Sequence, residues 1–252
     1  MWNHNLGNDA KCVSISADGR YIAAGGYDKN VTMLKPDNTT HWELEVGNYI
    51  MSLAISADGN YIVAGSDVDN VTLFNRTHGL LWNYKTGGYV RKVGISQYGQ
   101  YIAAGGFDDH VRLFLKNGSM LWEHNTGNDV QDVAISADGQ FVVSVDYNDN
   151  ITLYNRTGFL WNYTIVSALS DLLTVAISAN GQYFVVGEGI GSPYGGKVYL
   201  FYNGPPRATG LPLLILLLGM EQPGAGSLII IFLIIGIGAA AIIIYLLIKK
   251  KE

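Results

Sequence analysis

Apolar and polar positions alternate over short stretches throughout the first 203 residues, and Gly, Asn or Asp closes almost every stretch. Successive residues of a β-strand point to opposite faces, and Asp-Gly pairs are strong hairpin signals. One unit of the chain has its apolar stretches at 130–136, 141–145, 151–154 and 160–163. Stretches this short leave no room for a helix. The pattern therefore predicts an all-β fold built from units of four antiparallel strands.

These four-stranded units repeat along the chain. The pentad Ile-Ser-Ala-Asp-Gly, or a variant of it, occurs at 15–19, 55–59, 95–99, 135–139 and 177–181, with spacings of 40, 40, 40 and 42 residues. Tryptophan keeps the same period, at Trp2, Trp42, Trp82, Trp122 and Trp161. Repeats of this kind pack radially as the blades of a β-propeller and bury their faces against their neighbours. We therefore predict a β-propeller with the tryptophans docked between blades.

The repeat count predicts five blades. The repeats lie near 10–49, 50–89, 90–129, 130–168 and 169–203. The last repeat lacks its tryptophan-bearing strand, and a strand of that type stands at 1–6. Pairing of residues 1–6 with the last repeat would complete five four-stranded blades within 1–203 and remove open sheet edges. The same count fits an alternative, in which the array is part of a seven- or eight-bladed propeller.

Two stretches of the repeat resemble known families. The run Val133–Leu153 (VAISADGQFVVSVDYNDNITL) is similar to a WD40 repeat, and the run Leu81–Gly88 (LWNYKTGG) resembles the tryptophan-bearing end of a quinoprotein (PQQ-like) repeat. The strand ending Leu73-Phe74-Asn75 lacks the Trp-Asp pair of WD40 repeats, and the turn Thr86-Gly87-Gly88 lacks their Gly-His pair. The resemblance implies a propeller over residues 1–203, without the His–Asp hydrogen-bond network of WD40 blades.

A long apolar segment follows the repeats. Residues 227–248 carry no charge and precede Lys249, Lys250 and Lys251. About twenty apolar residues in a helix span the ~30 Å hydrocarbon core of a bilayer. We predict a single transmembrane helix over 227–248, with 204–226 as a linker or membrane-proximal segment. Lysines flanking a span favour the cytoplasmic side, so we expect a cytoplasmic tail at 249–252 and an extracytoplasmic propeller.

Signals near the N-terminus and within the repeats bear on this topology. The start Met1-Trp2-Asn3 has neither the basic residues nor the apolar run of a signal peptide. Either an N-terminal part has been lost, or the protein is tail-anchored with its propeller in the cytosol. Asn-x-Ser/Thr motifs favour an exported glycoprotein, and the candidate acceptors are Asn38, Asn75, Asn117 and Asn155, with further motifs at Asn30, Asn70, Asn150 and Asn162. Turn chemistry copied by the repeat explains the same motifs.

Composition excludes several kinds of site. The net charge is −5, and the only basic cluster is the lysine tail, which disfavours nucleic acid as a partner. One cysteine, Cys12, and five dispersed histidines offer no metal-ligand spacing. The serines of the pentad recur in every repeat, whereas a catalytic nucleophile would be singular. We therefore expect no enzyme activity, cofactor or metal; a quinoprotein-like dehydrogenase or a hydrolase working in the central channel is the alternative.

One edge of the propeller is the candidate binding site. Antiparallel order places the turns near 27–30, 67–70, 107–110 and 147–150 on the same rim as the connections near 47–49, 87–89 and 127–129. The candidate residues of this rim are aromatic or acidic: Tyr27, Asp28, Tyr49, Asp69, Tyr89, Phe107, Asp109, Asp129, Tyr147 and Asp149. Aromatic anchors among polar neighbours suit contact with a protein or a glycan. We expect a membrane-anchored interaction or scaffold module; a solvated acidic rim without a partner is the alternative.

Overall fold

The computed structural model describes residues 3–77, 79–165, 170–190, 196–204, 216–218, 228–237 and 240–249. These residues form β-strands joined by turns and connecting loops, without a helix among them, which confirms the all-β fold class. Each four-stranded sheet has its strands in chain order and antiparallel, so every neighbouring pair is a hairpin. The sheets are called sheet one to sheet five in chain order.

The first four sheets are nearly identical in length and spacing. Sheet one contains β1 (Ala10–Ile15), β2 (Ile22–Gly26), β3 (Asn30–Leu34) and β4 (Thr40–Glu45). Sheet two contains β5 (Ile50–Ile55), β6 (Tyr61–Ser66), β7 (Asn70–Asn75) and β8 (Gly79–Lys85). Sheet three contains β9 (Val90–Ile95), β10 (Tyr101–Gly106), β11 (His110–Leu115) and β12 (Met120–Asn125). Sheet four contains β13 (Val130–Ile135), β14 (Phe141–Asp146), β15 (Asn150–Asn155) and β16 (Gly158–Thr164).

The rest of the chain forms a fifth sheet and a separate hairpin. Sheet five contains β17 (Ser170–Ile177), β18 (Tyr183–Ile190), β19 (Lys197–Tyr202) and the short β20 (Leu216–Leu218). The hairpin pairs β21 (Leu228–Ile237) with β22 (Ala240–Lys249).

The repeated pentad builds the turn between the first two strands of each sheet. In sheet two the Ser56 hydroxyl donates to Asp58 Oδ1 at 2.5 Å and accepts the Tyr61 N–H at 3.0 Å. Gly59 has a φ of 68°, in the left-handed region that glycine enters without steric cost. The serine, the aspartate and the glycine thus each have a separate role in closing the turn, which explains why the pentad recurs.

Consecutive sheets pack face to face, and a hydrophobic core lies in each of the four spaces between them. In the core between sheets two and three, Val71 and Leu73 meet Val93 and Phe114. The same arrangement recurs between sheets one and two, three and four, and four and five. This stacking confirms the propeller architecture in its general form.

Tryptophans close these cores on the outer side. The Trp42, Trp82 and Trp122 indole N–H groups donate to backbone carbonyls of the following sheet at 2.9, 2.9 and 3.0 Å. Their rings pack against an aromatic residue of that sheet, as Trp82 does against Phe114 at 5.6 Å between centroids. The prediction that tryptophans dock between blades is confirmed at these positions; Trp2 lies outside the described residues.

The N-terminal segment differs from its predicted role. Residues 3–6 form no strand; they lie against Asn38, whose Nδ2 donates to the Asn3 carbonyl at 3.0 Å and whose Oδ1 is 3.1 Å from His4 Nδ1. The outer position of sheet five is taken by Leu216–Leu218, which pairs with β19. Strands near in sequence pair more readily than remote ones, which is the physical reason for the difference.

The C-terminal segment also differs from its predicted form. Where the sequence predicted one helix over 227–248, the structure has the hairpin of β21 and β22, with Leu228 opposite Lys249. The isoleucine-rich composition of both segments favours strands, because β-branched side chains fit the pleated backbone. Within the part of the chain that the structure describes, no helix is long and apolar enough to cross a membrane.

Candidate interaction rim

The structure brings the predicted turns and connections together at one edge of the sheets, which we call the rim. The Phe107 N–H donates to the Tyr89 carbonyl at 2.9 Å, and the Gly87 N–H donates to Asp108 Oδ2 at 2.8 Å. These bonds tie the connection that enters sheet three to the turn between its second and third strands. The side chains of both segments therefore form one continuous surface.

Aromatic side chains on the rim lie in contact with one another. The Tyr27 and Tyr49 rings are 5.0 Å apart in an edge-to-face arrangement, and Tyr89 stacks on Phe107 at 5.9 Å. Tyr49, Tyr89, Phe107 and Tyr147 are 41, 51, 40 and 48% exposed. Large aromatic groups held in pairs yet open to solvent are the anchors that protein interfaces use most.

Cations lie over these aromatic rings, a feature that was not predicted from the sequence. Lys11 Nζ is 5.9 Å from the centre of the Tyr27 ring, and Lys29 Nζ is 5.6 Å from that of Tyr49. In sheet three the Arg91 guanidinium is 5.5 Å from the Phe107 ring. Lys11 and Arg91 occupy the same repeat position, near the start of the first strand of their sheets. A comparison of the repeats could therefore have predicted a cation at this position. The rim is therefore of mixed charge.

Three of the predicted acids have a backbone role on the rim. Asp69, Asp109 and Asp149 have φ values of 68, 63 and 58°, a conformation that aspartate tolerates better than most residues. The Asp69 carbonyl accepts the Thr86 hydroxyl at 2.9 Å, and the Asp109 carbonyl accepts that of Thr126 at the same distance. These three aspartates therefore serve first as turn residues of the fold.

Asp129 and Asp28 differ from this pattern. Burial raises the pKa of Asp129, and the neighbouring Asp109 carboxylate raises it further through its charge and a hydrogen bond. The two carboxyl groups thus form an acidic pair beside the exposed Tyr147, whose N–H donates to the Asp129 carbonyl at 3.0 Å. Both carboxylate oxygens of Asp28 are shielded from solvent and have no hydrogen-bond partner among the described residues. The carboxylate of Asp28 is therefore not available to a partner, although the residue is partly exposed.

An ion cluster around the buried Arg112, which the sequence did not predict, supports the rim in sheet three. Arg112 is 5% exposed, and its Nη2 lies 2.7 Å from Asp108 Oδ2 and 3.0 Å from Glu123 Oε1. Burial opposes ionisation of Asp108, but hydrogen bonds from Arg112 and the Gly87 N–H outweigh it and hold its pKa below the usual value. This cluster fixes the turn that carries Phe107.

Three features of the described residues bear on metal binding, thiol chemistry and small-molecule binding. They contain no cluster of three or more His, Cys, Asp or Glu side chains able to hold a metal ion. Burial raises the pKa of Cys12 to about 12, so the thiol stays protonated. A cavity of about 210 Å³ lies between sheets one and two and is lined by Val46, Asn48 and Ser66, among others. It is smaller than the ~300–1,000 Å³ that small-molecule sites usually occupy.

The candidate glycosylation sites lie at the edge opposite the rim, in or beside the turns between third and fourth strands. Asn117 is exposed, and its Oδ1 accepts the Ser119 N–H at 3.0 Å. Asn155 Oδ1 accepts the Thr157 N–H at 2.8 Å. Asn38 has a φ of 68° and holds residues 3 and 4, and Asn75 ends β7. The motifs thus have a turn function in the fold.

Stacked four-stranded antiparallel sheets, each built from one repeat, define the class of this protein as a β-propeller. The family described as "WD domain, G-beta repeat" matches residues 3–33, 39–70, 80–114 and 118–155. These matches cover more than half of the chain, and the chain belongs to the WD40 family.

Solved structures show the same fold. A chain of the Kuenenia stuttgartiensis hydrazine synthase is similar with a TM-score of 0.66 and 16% identity, over 90% of this chain and 73% of that one. At this identity the likeness shows the fold alone. The chain matches no curated protein sequence.

Proposed function

We propose that this chain is a protein-interaction scaffold whose rim binds a partner protein. The observation that carries the proposal is the set of exposed, paired aromatic rings at one edge of a WD40 fold. Aromatic residues and arginine are enriched where protein interfaces concentrate their binding energy. The ion cluster beneath Phe107 holds that part of the surface rigid, which lowers the entropic cost of binding.

A protein is a better fit to the rim than a glycan. Lys11, Lys29 and Arg91 lie over the rings, and the Asp109–Asp129 pair lies on the same edge. Such a mixture complements a partner that carries both signs of charge, which neutral sugars do not. Electrostatic complementarity of this kind directs partner choice and accelerates association.

A matched pair of variants tests this role. The rim variant replaces Tyr49, Tyr89 and Phe107 with Ala; the control replaces Tyr98, Phe159 and Leu160, which are exposed but lie away from the rim. Proximity labelling with the full chain in its native cells should yield proteins lost from the rim variant and kept by the control. A labelling profile unchanged by the rim variant would contradict the proposal. Binding of the unaltered chain to a glycan array, lost in the rim variant, would assign a glycan as the partner instead.

We also propose that residues 227–248 anchor the protein in a membrane. The absence of charge over this segment and the three lysines after it support the proposal. A two-stranded hairpin leaves backbone groups unpaired along both outer edges, and each unpaired group in hydrocarbon costs several kcal/mol. We infer that a single helix replaces the hairpin in a bilayer. Alkaline extraction of membranes should leave the full chain in the pellet, whereas a chain ending at residue 226 should be released.

The orientation follows as a further part of the proposal. The lysine tail favours a cytoplasmic C-terminus and an extracytoplasmic propeller. Glycans at Asn38, Asn75, Asn117 or Asn155 would then stand at the edge opposite the rim and leave it free. Protease added to intact cells should digest the propeller. Where these asparagines carry glycans, glycosidase treatment should increase the electrophoretic mobility of the protein. Protection of the propeller would instead assign the cytosol-facing, tail-anchored arrangement.

We propose no catalytic role. The hydroxyls of Ser16, Ser56 and Ser136 each donate to the aspartate two residues on, within 2.7 Å, which accounts for them as turn residues. A quinoprotein-like enzyme would carry a cofactor with visible absorbance. Absorbance of that kind in the purified full chain would overturn this part of the proposal.

A further inference from the structure

Each sheet has one face that packs on the next sheet and an opposite face that packs on the sheet before it. The first sheet has no described sheet before it, and the last four-stranded sheet has no described four-stranded sheet after it, so one face of each is left over. The trailing face of a sheet carries one residue of its second strand and two of its third, and it packs on the next sheet. In sheets one to four these residues are completely buried: Ala23, Val31, Met33, Val63, Val71, Leu73, Ala103, Val111, Leu113, Val143, Ile151 and Leu153. Their counterparts in sheet five, Val185, Val198 and Leu200, are 37, 58 and 36% exposed.

The opposite face of sheet one shows the complementary feature. The leading face of a sheet packs on the sheet before it, and in sheet two it includes Leu53 and Ile55, each 7% exposed. The corresponding residues of sheet one, forty positions earlier, are Val13 and Ile15, which are 71 and 61% exposed. The two ends of the array therefore present the two halves of one apolar interface.

At each interface between consecutive sheets an aromatic ring of one sheet packs on a glycine of the next. The two end sheets have the glycine and the ring, respectively, without this contact. A Cβ placed on Gly59, Gly99, Gly139 or Gly181 would lie 2.4–2.7 Å from a ring atom of Tyr21, Tyr61, Tyr101 or Phe141 in the preceding sheet. The ring thus covers the glycine. Gly19 of sheet one, with the same backbone conformation, has nothing within 4 Å of that point. The corresponding ring of sheet five, Tyr183, lies against Tyr202 and is 37% exposed.

We propose that the trailing face of sheet five binds the leading face of sheet one in a second copy of this chain. Tyr183 of one copy then covers Gly19 of the other, and Val185, Val198 and Leu200 meet Val13 and Ile15. Backbone groups of the turns complete the contact. The Ala17 N–H donates to the Ala57 carbonyl at 2.9 Å, and the Ala137 N–H donates to the Ala179 carbonyl at 2.9 Å. In the contact between copies, the Ala179 N–H of one copy donates to the Ala17 carbonyl of the other in the same way.

A second copy is the occupant that the structure favours, because the chain itself provides both complementary faces. The four internal interfaces demonstrate that faces of this composition pack together. A cation covers the ring in three of them, as Arg76 covers Tyr21 at 4.7 Å. The residue equivalent to Arg76 is Pro36 in sheet one and Asn203 in sheet five. Phe141 nevertheless packs on Gly181 of sheet five, so the contact forms without a cation at this position. Head-to-tail contacts of this kind either close into a ring or extend into a filament.

Disulfide trapping between two tagged full-length copies tests the contact. In a Cys12→Ala background, one copy carries Ala17→Cys and the other Ala179→Cys, and both are expressed in the same cells. Residues joined by a backbone hydrogen bond have Cα atoms about 5–6 Å apart, within the range a disulfide spans. Oxidation should give a covalent dimer containing both tags, and reduction should remove it. Copies that both carry Ala17→Cys should stay monomeric.

Two controls decide the remaining outcomes. The pair Gln97→Cys and Ala137→Cys in one chain reports on an internal contact of the same geometry, where the Gln97 N–H donates to the Ala137 carbonyl at 2.8 Å. Light scattering on the full chain in detergent should give a multiple of the 27.4 kDa chain mass, lost on Tyr183→Glu and kept on Tyr98→Glu. A single-chain mass for the unaltered protein, association insensitive to Tyr183→Glu, or an intrachain disulfide in one chain that carries both Ala17→Cys and Ala179→Cys would each overturn the proposal.

Discussion

The spaces between sheets and the two ends of the array contain the same pattern of residues in different surroundings. Leu73 on the trailing face of sheet two is completely buried, whereas Leu200 at the same position of sheet five is 36% exposed. Val13 and Leu53 differ in the same way on the leading side. The repeat thus encodes a face and its complement in every unit. A linear array of such units always leaves one of each uncovered unless its ends meet.

The largest expected difference between the two regions comes from Leu73→Ala and Leu200→Ala. Removing a completely buried leucine side chain costs about 2–5 kcal/mol of unfolding free energy, because contacts are lost and a cavity remains. At Leu200 we expect less than about 1 kcal/mol when the chain is monomeric, since solvent already reaches the side chain. Denaturant unfolding of the full chain in detergent, followed by tryptophan fluorescence, measures both. Equal losses would mean that sheet five is covered in solution.

A smaller difference is expected from Gly139→Ala and Gly19→Ala. Both glycines have φ near 69°, so an alanine suffers the same backbone strain at either site. At Gly139 the new Cβ would also lie 2.4 Å from the Tyr101 ring, and displacing it costs about 1–3 kcal/mol more. Thermal unfolding of the two variants should show Gly139→Ala as the less stable. The reverse order would contradict the ring-on-glycine contact.

The smallest difference concerns the turn acids Asp58 and Asp18. Burial opposes ionisation of Asp58, but hydrogen bonds from Ser56 and Asn60 outweigh it and hold its pKa below the usual value. The pKa of Asp18 is also lowered, first by the Arg20 backbone N–H and then by the Ser16 hydroxyl. A carboxyl with a lowered folded-state pKa stabilises the fold at neutral pH, and that stability disappears as pH falls through this pKa.

We therefore expect Asp58→Asn to reduce stability at pH 7 by less than about 1 kcal/mol, with the deficit vanishing in acid below the usual carboxyl range. Asp18→Asn should have the smaller effect, because the Asp18 side chain is more exposed than that of Asp58. Unfolding midpoints of both variants between pH 2.5 and 7 provide the comparison. A deficit that persisted unchanged in acid would assign it to the altered turn geometry and not to the charge.

Much of the fold could be predicted from the sequence because the residues that close each turn are consecutive in the sequence. The pentad at 55–59 specifies a hydroxyl, a carboxylate and a positive-φ glycine, so the hairpins and the forty-residue period follow from local rules. The rim edge follows from antiparallel order alone. The exposure of its aromatic rings follows less directly, since it depends on which way each turn projects.

What escaped prediction depends on how the strands pair, which no single turn motif specifies. The Arg112–Asp108–Glu123 cluster depends on the register of the β11–β12 pair, which places Arg112 directly opposite Glu123. The outer strand of sheet five was assigned to residues 1–6, but Leu216–Leu218 occupies that position, beyond a long connection. The pairing of Leu228–Ile237 with Ala240–Lys249 was not predicted either, because the absence of charge over 227–248 does not distinguish a helix from a pair of strands.

Thiol labelling at positions 13 and 53 tests most directly whether the ends of the array are open and complementary. In a Cys12→Ala background, Val13→Cys and Leu53→Cys of the full chain are each reacted with a maleimide across a range of protein concentrations. We predict rapid labelling of Val13→Cys in dilute protein, slowing as concentration rises, and slow labelling of Leu53→Cys throughout. Slow labelling of Val13→Cys at the lowest concentration would contradict the account, because it would mean that the chain covers its own first sheet.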